Sequence, residues 1–233
     1  MSKGLLIIVF VKAPRPGLVK TRMARVAGDT AACLAYRTLA GCLFRNLQGL
    51  KHLEICHSPD SPEAAREVDP WRQPGWTLSS QGEGGLGERM ARAIRRGLDR
   101  GHPAVAIIGS DCPWIQPGDL EAASSALLQG GTDVVLGPAE DGGYWLIGAR
   151  GDFPELFEGI AWSTDTVLEQ TLDRASRSRR SVHQLRLLSD VDTWEDWLRF
   201  AGAQNESVRH TSQPAGPNAN SGFPTCIETN PPA

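Results

Sequence analysis

Asp111 is the residue of this sequence best placed to do chemistry. It stands in Gly109-Ser110-Asp111-Cys112-Pro113-Trp114-Ile115, directly behind the apolar run Ala104-Val105-Ala106-Ile107-Ile108. A short run of this kind, rich in branched residues and closed by glycine, reads as a strand buried on both faces of a parallel sheet. The carboxyl ends of such strands are where open α/β sheets place their ligands. A carboxylate there suits a hard divalent cation, Mg²⁺ or Mn²⁺, which takes one or two protein carboxylates and leaves its other positions to water and phosphate. The same residue also fits a turn or a helix N-cap, and the motif alone leaves both readings open.

Three further segments carry chemistry-bearing residues. The loop KAPRPGLVKTRM at 12–23 holds Lys12, Arg15, Lys20 and Arg22, with Pro14, Pro16 and Gly17 fixing its path. Between a first strand and a helix it could wrap a polyphosphate, although it lacks GxxxxGK[ST]; a solvated basic loop is the other reading. The turn GPAEDGGYWLIG at 137–148 brings Glu140 and Asp141 beside Gly142 and Gly143. A carboxylate there can orient or deprotonate an acceptor hydroxyl, or the segment is a hairpin turn and no more. Asp190-Val191-Asp192 precedes TWEDW. Asp192 or Thr193 can cap the next helix, or either aspartate can be a second metal carboxylate opposite Asp111.

The elements that must position these residues are legible from periodicity. Strands are expected at 5–11, 53–57, 76–80, 104–109, 132–137, 143–148 and 182–187. Helices are expected at 28–48, 62–68, 86–100, 118–128 and 164–174. Alternation of this kind implies βαβ units in a mostly parallel sheet, and the Asp-Gly-Gly turn implies one antiparallel strand pair. The arginines of the 86–100 helix read as a solvated face. Gly82-Glu83-Gly84-Gly85-Leu86-Gly87 matches GxGxxG, but the dinucleotide fingerprint belongs in the first βα turn, and here it follows the weakest strand. Residues 1–201 are expected to form one domain. From Gly202 the composition turns to Gln, Asn, Ser, Pro and Gly, and 202–233 is expected to be a disordered tail.

Composition narrows the class. The chain has 233 residues, 40% hydrophobic and 22% charged, with a formal net charge of −3. This fits a globular protein and gives no electrostatic case for nucleic acid as a partner. Five cysteines without a CxxC pair read as free thiols in a reducing compartment. The run Leu5–Val11 is followed by Lys12 and prolines rather than by a cleavage site, and no run is long enough to span a bilayer. A cytoplasmic location without membrane contact is therefore expected; oligomerisation is left open.

Together the segments VFVKAPRPGLVKTRM, QGEGGLGERM, GSDCPWI, GPAEDGGYWLIG, Ile160–Thr164 and DVDTWEDW resemble the nucleotide-diphospho-sugar transferase superfamily. More narrowly they are similar to a bacterial subgroup of small glycosyltransferase-like proteins, some associated with arsenosugar biosynthesis. The resemblance covers about residues 1–200. It implies a Rossmann-like GT-A sheet with helices on both faces, and phosphate binding by Lys20 and Arg22; Lys12 of the same basic loop is a further phosphate-binding candidate. The resemblance also implies a base- or ribose-facing role for Gln81, Gly84 and Gly87, and metal coordination by Asp111 and Asp192. Two departures stand out: the subgroup commonly has Asp where this chain has Gly85, and Asp111 has no second aspartate two residues on. The expected activity is metal-dependent glycosyl transfer from a nucleotide sugar to a small-molecule acceptor, with Asp141 and Glu140 as catalytic candidates. Nucleotidyl transfer from a nucleoside triphosphate to a phosphorylated small molecule, releasing pyrophosphate, uses the same parts. A non-catalytic sugar-nucleotide-binding module is the third reading.

Overall fold

The computed structural model describes residues 3–211, with side-chain burial described through Gln204. Seven strands form one sheet: β1 (Leu6–Lys12), β2 (Leu53–Ser58), β3 (Thr77–Ser80), β4 (Val105–Gly109), β5 (Val134–Pro138), β6 (Tyr144–Ala149) and β7 (Val182–Gln184). Their order is β3-β2-β1-β4-β6-β5-β7. β6 alone runs against the rest, antiparallel to both β4 and β5. The sheet is therefore mostly parallel, as expected.

Strand β1 explains why helices cover both faces. Its alternate residues Ile7, Val9 and Val11, with Leu5 just before the strand, join a core that includes Ala40, Leu43, Phe44, Ala123 and Leu127. Leu6 and Ile8 point the other way and pack with Met90, Ala93, Ile94 and Ala175. Helices α2 (Asp29–Asn46) and α5 (Pro117–Leu128) thus close one face, while α4 (Leu86–Asp99) and α6 (Val167–Arg177) close the other. A strand with both faces buried must be apolar at every position, which is the pattern read from the sequence.

The remaining helices are α1 (Thr21–Ala27), α3 (Pro62–Val68) and α7 (Trp194–Thr211). α1 begins inside what reads as loop, with Met23 fully buried against Leu39 and Phe200 of a third core cluster. α7 runs past Gly202, where the tail was expected to begin. Trp194, Trp197 and Phe200 anchor its first turns, and once a helix is nucleated each further residue adds a hydrogen bond without needing an apolar contact. The rest of the expected tail, 212–233, lies outside the described residues, as does Cys226. Cys33, Cys42, Cys56 and Cys112 are buried. Among the described residues no helix is long and apolar enough to cross a membrane.

The face of α4 read as solvated is instead pinned. Arg96 and Arg100 pair with Glu54, which is fully buried on β2. Arg95 pairs with Asp152, and Arg92 donates to the carbonyls of Gln81 and Glu83. Helical periodicity placed these arginines on one face; it could not report that β2 carries a buried carboxylate beneath them.

Candidate active site

Topology gathers the chemistry-bearing loops at one edge of the sheet. β1, β4, β5 and β7 run in the same sense, so the segments leaving their carboxyl ends emerge together, and the β5–β6 hairpin turn lies at that edge too. These segments carry Lys12–Arg22, Ser110–Asp111, Asp141–Gly143 and Asp190–Asp192. With the start of α4 and the Trp162–Thr164 segment they line a cavity of about 590 Å³. That volume is in the range of small-molecule and cofactor sites.

Lys20 lies at the centre of the edge. Its ammonium is 2.7 Å from Asp192 Oδ1 and 2.9 Å from Asp111 Oδ1, and its side chain is 4% exposed. Burial opposes its charge, but Asp111 and Asp192 more than offset this and raise its pKa. The Lys20 backbone is left-handed, φ 48°, and its carbonyl accepts the Ala24 amide as α1 begins. Both aspartates therefore reach one point, as a shared cation site requires. A backbone hydrogen bond from Val191 N to Asp111 O, 3.0 Å, ties their loops together. Asp192 is not the helix cap: Thr193 Oγ1 accepts the Asp196 amide, and Asp196 Oδ2 accepts the Thr193 amide in return, a reciprocal box.

Asp190 adds a third carboxylate to the cavity lining. Burial, helped by Asp111 and Asp192, pushes its pKa up to about 7. Asp141 also lines the cavity; its Oδ1 accepts the Gly143 amide at 2.9 Å, which turns the hairpin and holds the carboxylate at its tip. Glu140 does not line the cavity. Its amide bonds Leu188 O and its carboxylate accepts from Ser189, so it faces the β7 side. Glu140 and Asp141 are the central residues of the turn closed by the Gly142 amide on Ala139 O, and Glu140 is held on the Leu188–Ser189 side while Asp141 lines the cavity.

The basic loop divides as well. Lys12 and Arg22 line the cavity, and Arg22 remains 65% exposed with only a 3.8 Å contact to Asp192. Arg15 turns away to pair with Glu67. Gln81 lines the cavity, but its amide nitrogen is committed to Val11 O and Cys56 O, so it ties β1 to β2. Gly84 and Gly87 are not in the lining. A side chain at Gly87 would come within 2.9 Å of Phe157 O and Trp162 Cζ2, so this glycine lets α4 approach the Trp162 segment. Gly85 is the N-cap of α4, and its amide donates to Glu88. An aspartate there would be a capping residue, which gives the departure from the subgroup a local structural meaning.

Sequence reasoning missed Tyr36. Its buried hydroxyl accepts the Lys12 amide at 2.9 Å, lies 2.9 Å from Ser110 Oγ, and donates to Lys12 O at 3.1 Å. It thereby locks the ends of β1 and β4 together beneath the site. The only signal for it was a lone phenol on the apolar face of α2. Arg89 and Trp162 also line the cavity; neither had a spacing that set it apart.

Residues 45–164 match the family described as uncharacterized protein conserved in bacteria (DUF2064). The chain belongs to this family. This DUF2064 protein is also 35% identical to a protein of Desulfovibrio desulfuricans G20 provisionally assigned as a nucleotide-diphospho-sugar transferase, with a TM-score of 0.80 over 91% of this chain and 92% of that one. The 4-diphosphocytidyl-2C-methyl-D-erythritol synthase of Anaerococcus prevotii DSM 20548 aligns with a TM-score of 0.58 at 11% identity, over 88% of this chain and 96% of that one. A CMP:2-keto-3-deoxy-manno-octonic acid synthetase complexed with CTP aligns with a TM-score of 0.56 at 10% identity, over 88% and 99%. The latter two likenesses are of fold. No curated protein matches the sequence. The expected nucleotide-diphospho-sugar transferase fold is thus the fold of this chain.

Proposed function

We propose that the chain, a transferase by its likeness to the 35% identical neighbour, moves a glycosyl group from a nucleotide-diphospho-sugar to a small-molecule acceptor. The observation that carries this reading is the charge pattern of the cavity. Lys12, Lys20 and Arg22 line one cavity with the carboxylates of Asp111, Asp141, Asp190 and Asp192, and Asp111 and Asp192 both meet Lys20. The donor set also fits a hard divalent cation. Two carboxylates meet at one point, and the buried Asp111 Oδ1, although close to Lys20, accepts no well-formed hydrogen bond. Among the described residues no group of three or more His, Cys, Asp or Glu is arranged to hold a metal on its own. A cation here would complete its shell with phosphate and water, as Mg²⁺ and Mn²⁺ do.

Asp111 and Asp192 would hold that cation, and its chemistry would be to neutralise charge developing on the departing diphosphate. Lys12 and Arg22 bind the diphosphate and share that stabilisation by charge-assisted hydrogen bonds. Asp141, at the hairpin tip, orients the acceptor hydroxyl and takes its proton. Nucleotidyl transfer is the second reading, favoured by a lining that brings Lys12, Lys20 and Arg22 to one cavity, with Lys20 paired to Asp111 and Asp192 until it is drawn away. The deciding experiment follows products in the presence of Mn²⁺. Nucleotide sugars with candidate acceptors are expected to yield nucleoside diphosphate. Pyrophosphate from a triphosphate and a sugar phosphate would replace this reading with the second, and tight binding without either product would leave a binding module.

A further inference from the structure

Lys20 occupies the point on which the two candidate metal carboxylates converge. Its nitrogen is 2.7 Å from Asp192 Oδ1 and 2.9 Å from Asp111 Oδ1, and its side chain is 4% exposed. A divalent cation bound to the same two oxygens would lie about 2.0–2.6 Å from each. An ammonium and a dication held on the same two oxygens would stand as like charges in close contact, which strongly disfavours their sharing both acceptors. We propose that Lys20 is the built-in counter-ion of the Asp111–Asp192 pair, and that it must release at least one of these carboxylates before a divalent cation can bind.

The local structure allows this exchange. The Lys20 backbone is held where α1 begins, by its carbonyl on the Ala24 amide and by the left-handed φ of 48°. Only the four-carbon side chain has to move, and lysine carries its charge on a flexible stem without fixed directionality. A released ammonium stays within the cavity, where the diphosphate of a bound nucleotide, carrying more charge than the lining carboxylates Asp190 and Asp141 singly, becomes its partner. Cation binding and phosphate binding then favour each other, because each removes Lys20 from the place the other needs vacated or filled. Such coupling is reciprocal by linkage. In the absence of both, Lys20 offsets part of the charge of the two aspartates.

This rests on the reading of Asp111 and Asp192 as cation ligands. The test measures Mn²⁺ binding without nucleotide, by the electron paramagnetic resonance signal of free Mn²⁺, for wild type, Lys20→Met and Lys20→Met/Asp111→Asn. Lys20→Met is expected to bind Mn²⁺ at least tenfold more tightly than wild type, and the added Asp111→Asn is expected to abolish the gain. Equal or weaker binding by Lys20→Met than by a wild type that does bind would overturn the counter-ion role and leave the cation site standing. Absence of binding in all three would overturn both. If Lys20→Met does not fold in EDTA, amine-directed acylation of the wild-type protein, read by mass spectrometry at Lys20, replaces it. Acylation is expected to be slow without metal and severalfold faster at saturating Mg²⁺ with a nucleoside diphosphate; an unchanged rate would overturn the proposal.

Discussion

Arg22 and Lys20 leave the same loop two residues apart and meet opposite surroundings, which separates their roles. Lys20 is buried against two carboxylates, whereas Arg22 is 65% exposed and its guanidinium reaches only the far oxygen of Asp192 at 3.8 Å. An exposed cation without a committed partner, on the wall of an acidic and basic cavity, is free to take a phosphate. Arg22→Ala is therefore expected to weaken a nucleoside diphosphate by about 1.5 kcal/mol, the lower end for a charge-assisted hydrogen bond because of its exposure. That is roughly tenfold in Kd. The matching free nucleoside should lose almost nothing. Isothermal titration of both ligands against both proteins checks it; equal losses would remove Arg22 from phosphate binding.

At the scale of elements, the hairpin between β5 and β6 controls where Asp141 points. Gly142 has φ +84°, and a methyl group there would come within 2.0 Å of the Asp165 carbonyl. The Gly142 carbonyl in turn accepts the Leu168 amide at 2.9 Å, which docks the hairpin on the start of α6. Gly142→Ala is expected to cost about 1–3 kcal/mol through overpacking and a strained φ, visible as a lower Tm. Transfer activity should fall further than the Tm change accounts for, because Asp141 loses its seat. Elements of this kind were legible in the sequence. β4 and α3 follow from an apolar run and a Ser-Pro start, and the Asp-Gly-Gly turn gave the reversal of β6. The sequence also led to the expectation that Asp111 and Asp192 meet, and both reach the Lys20 ammonium; the other contacts at the site were not legible in it. Lys20 on Asp111 and Asp192, Tyr36 under the site and Glu140 facing away all depend on contacts between segments distant in the chain. Local periodicity is blind to such contacts, and so it could name Asp111 and Asp192 without finding the lysine between them.

For the molecule as a whole, Glu54 on β2 pairs with Arg96 of α4 and with Arg100 at the end of that helix, and so ties the helix to the sheet. Glu54 is fully buried, and Ser79 Oγ donates to it at 2.5 Å. Burial on its own would raise the pKa of this carboxyl. The Ser79 hydroxyl and the two guanidinium groups outweigh burial and hold it below the usual carboxylate range. The sign of the pH effect follows. A carboxyl whose folded pKa is depressed contributes stability that is fully present above the unfolded value, about 4.3 for glutamate, and is lost as pH falls through the folded value. Stability should therefore drop on acidification below about pH 4, while this contribution stays flat through neutrality. Glu54→Gln removes the charge and leaves two arginines facing a buried amide. Breaking a buried pair typically costs about 3–5 kcal/mol, and because the arginines are 26% and 44% exposed the lower end is expected. The decisive comparison is the pair of Tm–pH curves from pH 3 to pH 7: the variant should start lower at neutral pH and show a shallower acid limb, so that the two curves approach each other as Glu54 protonates in the wild type. Parallel curves would mean that Glu54 is not the carboxylate whose charge the fold uses at that interface.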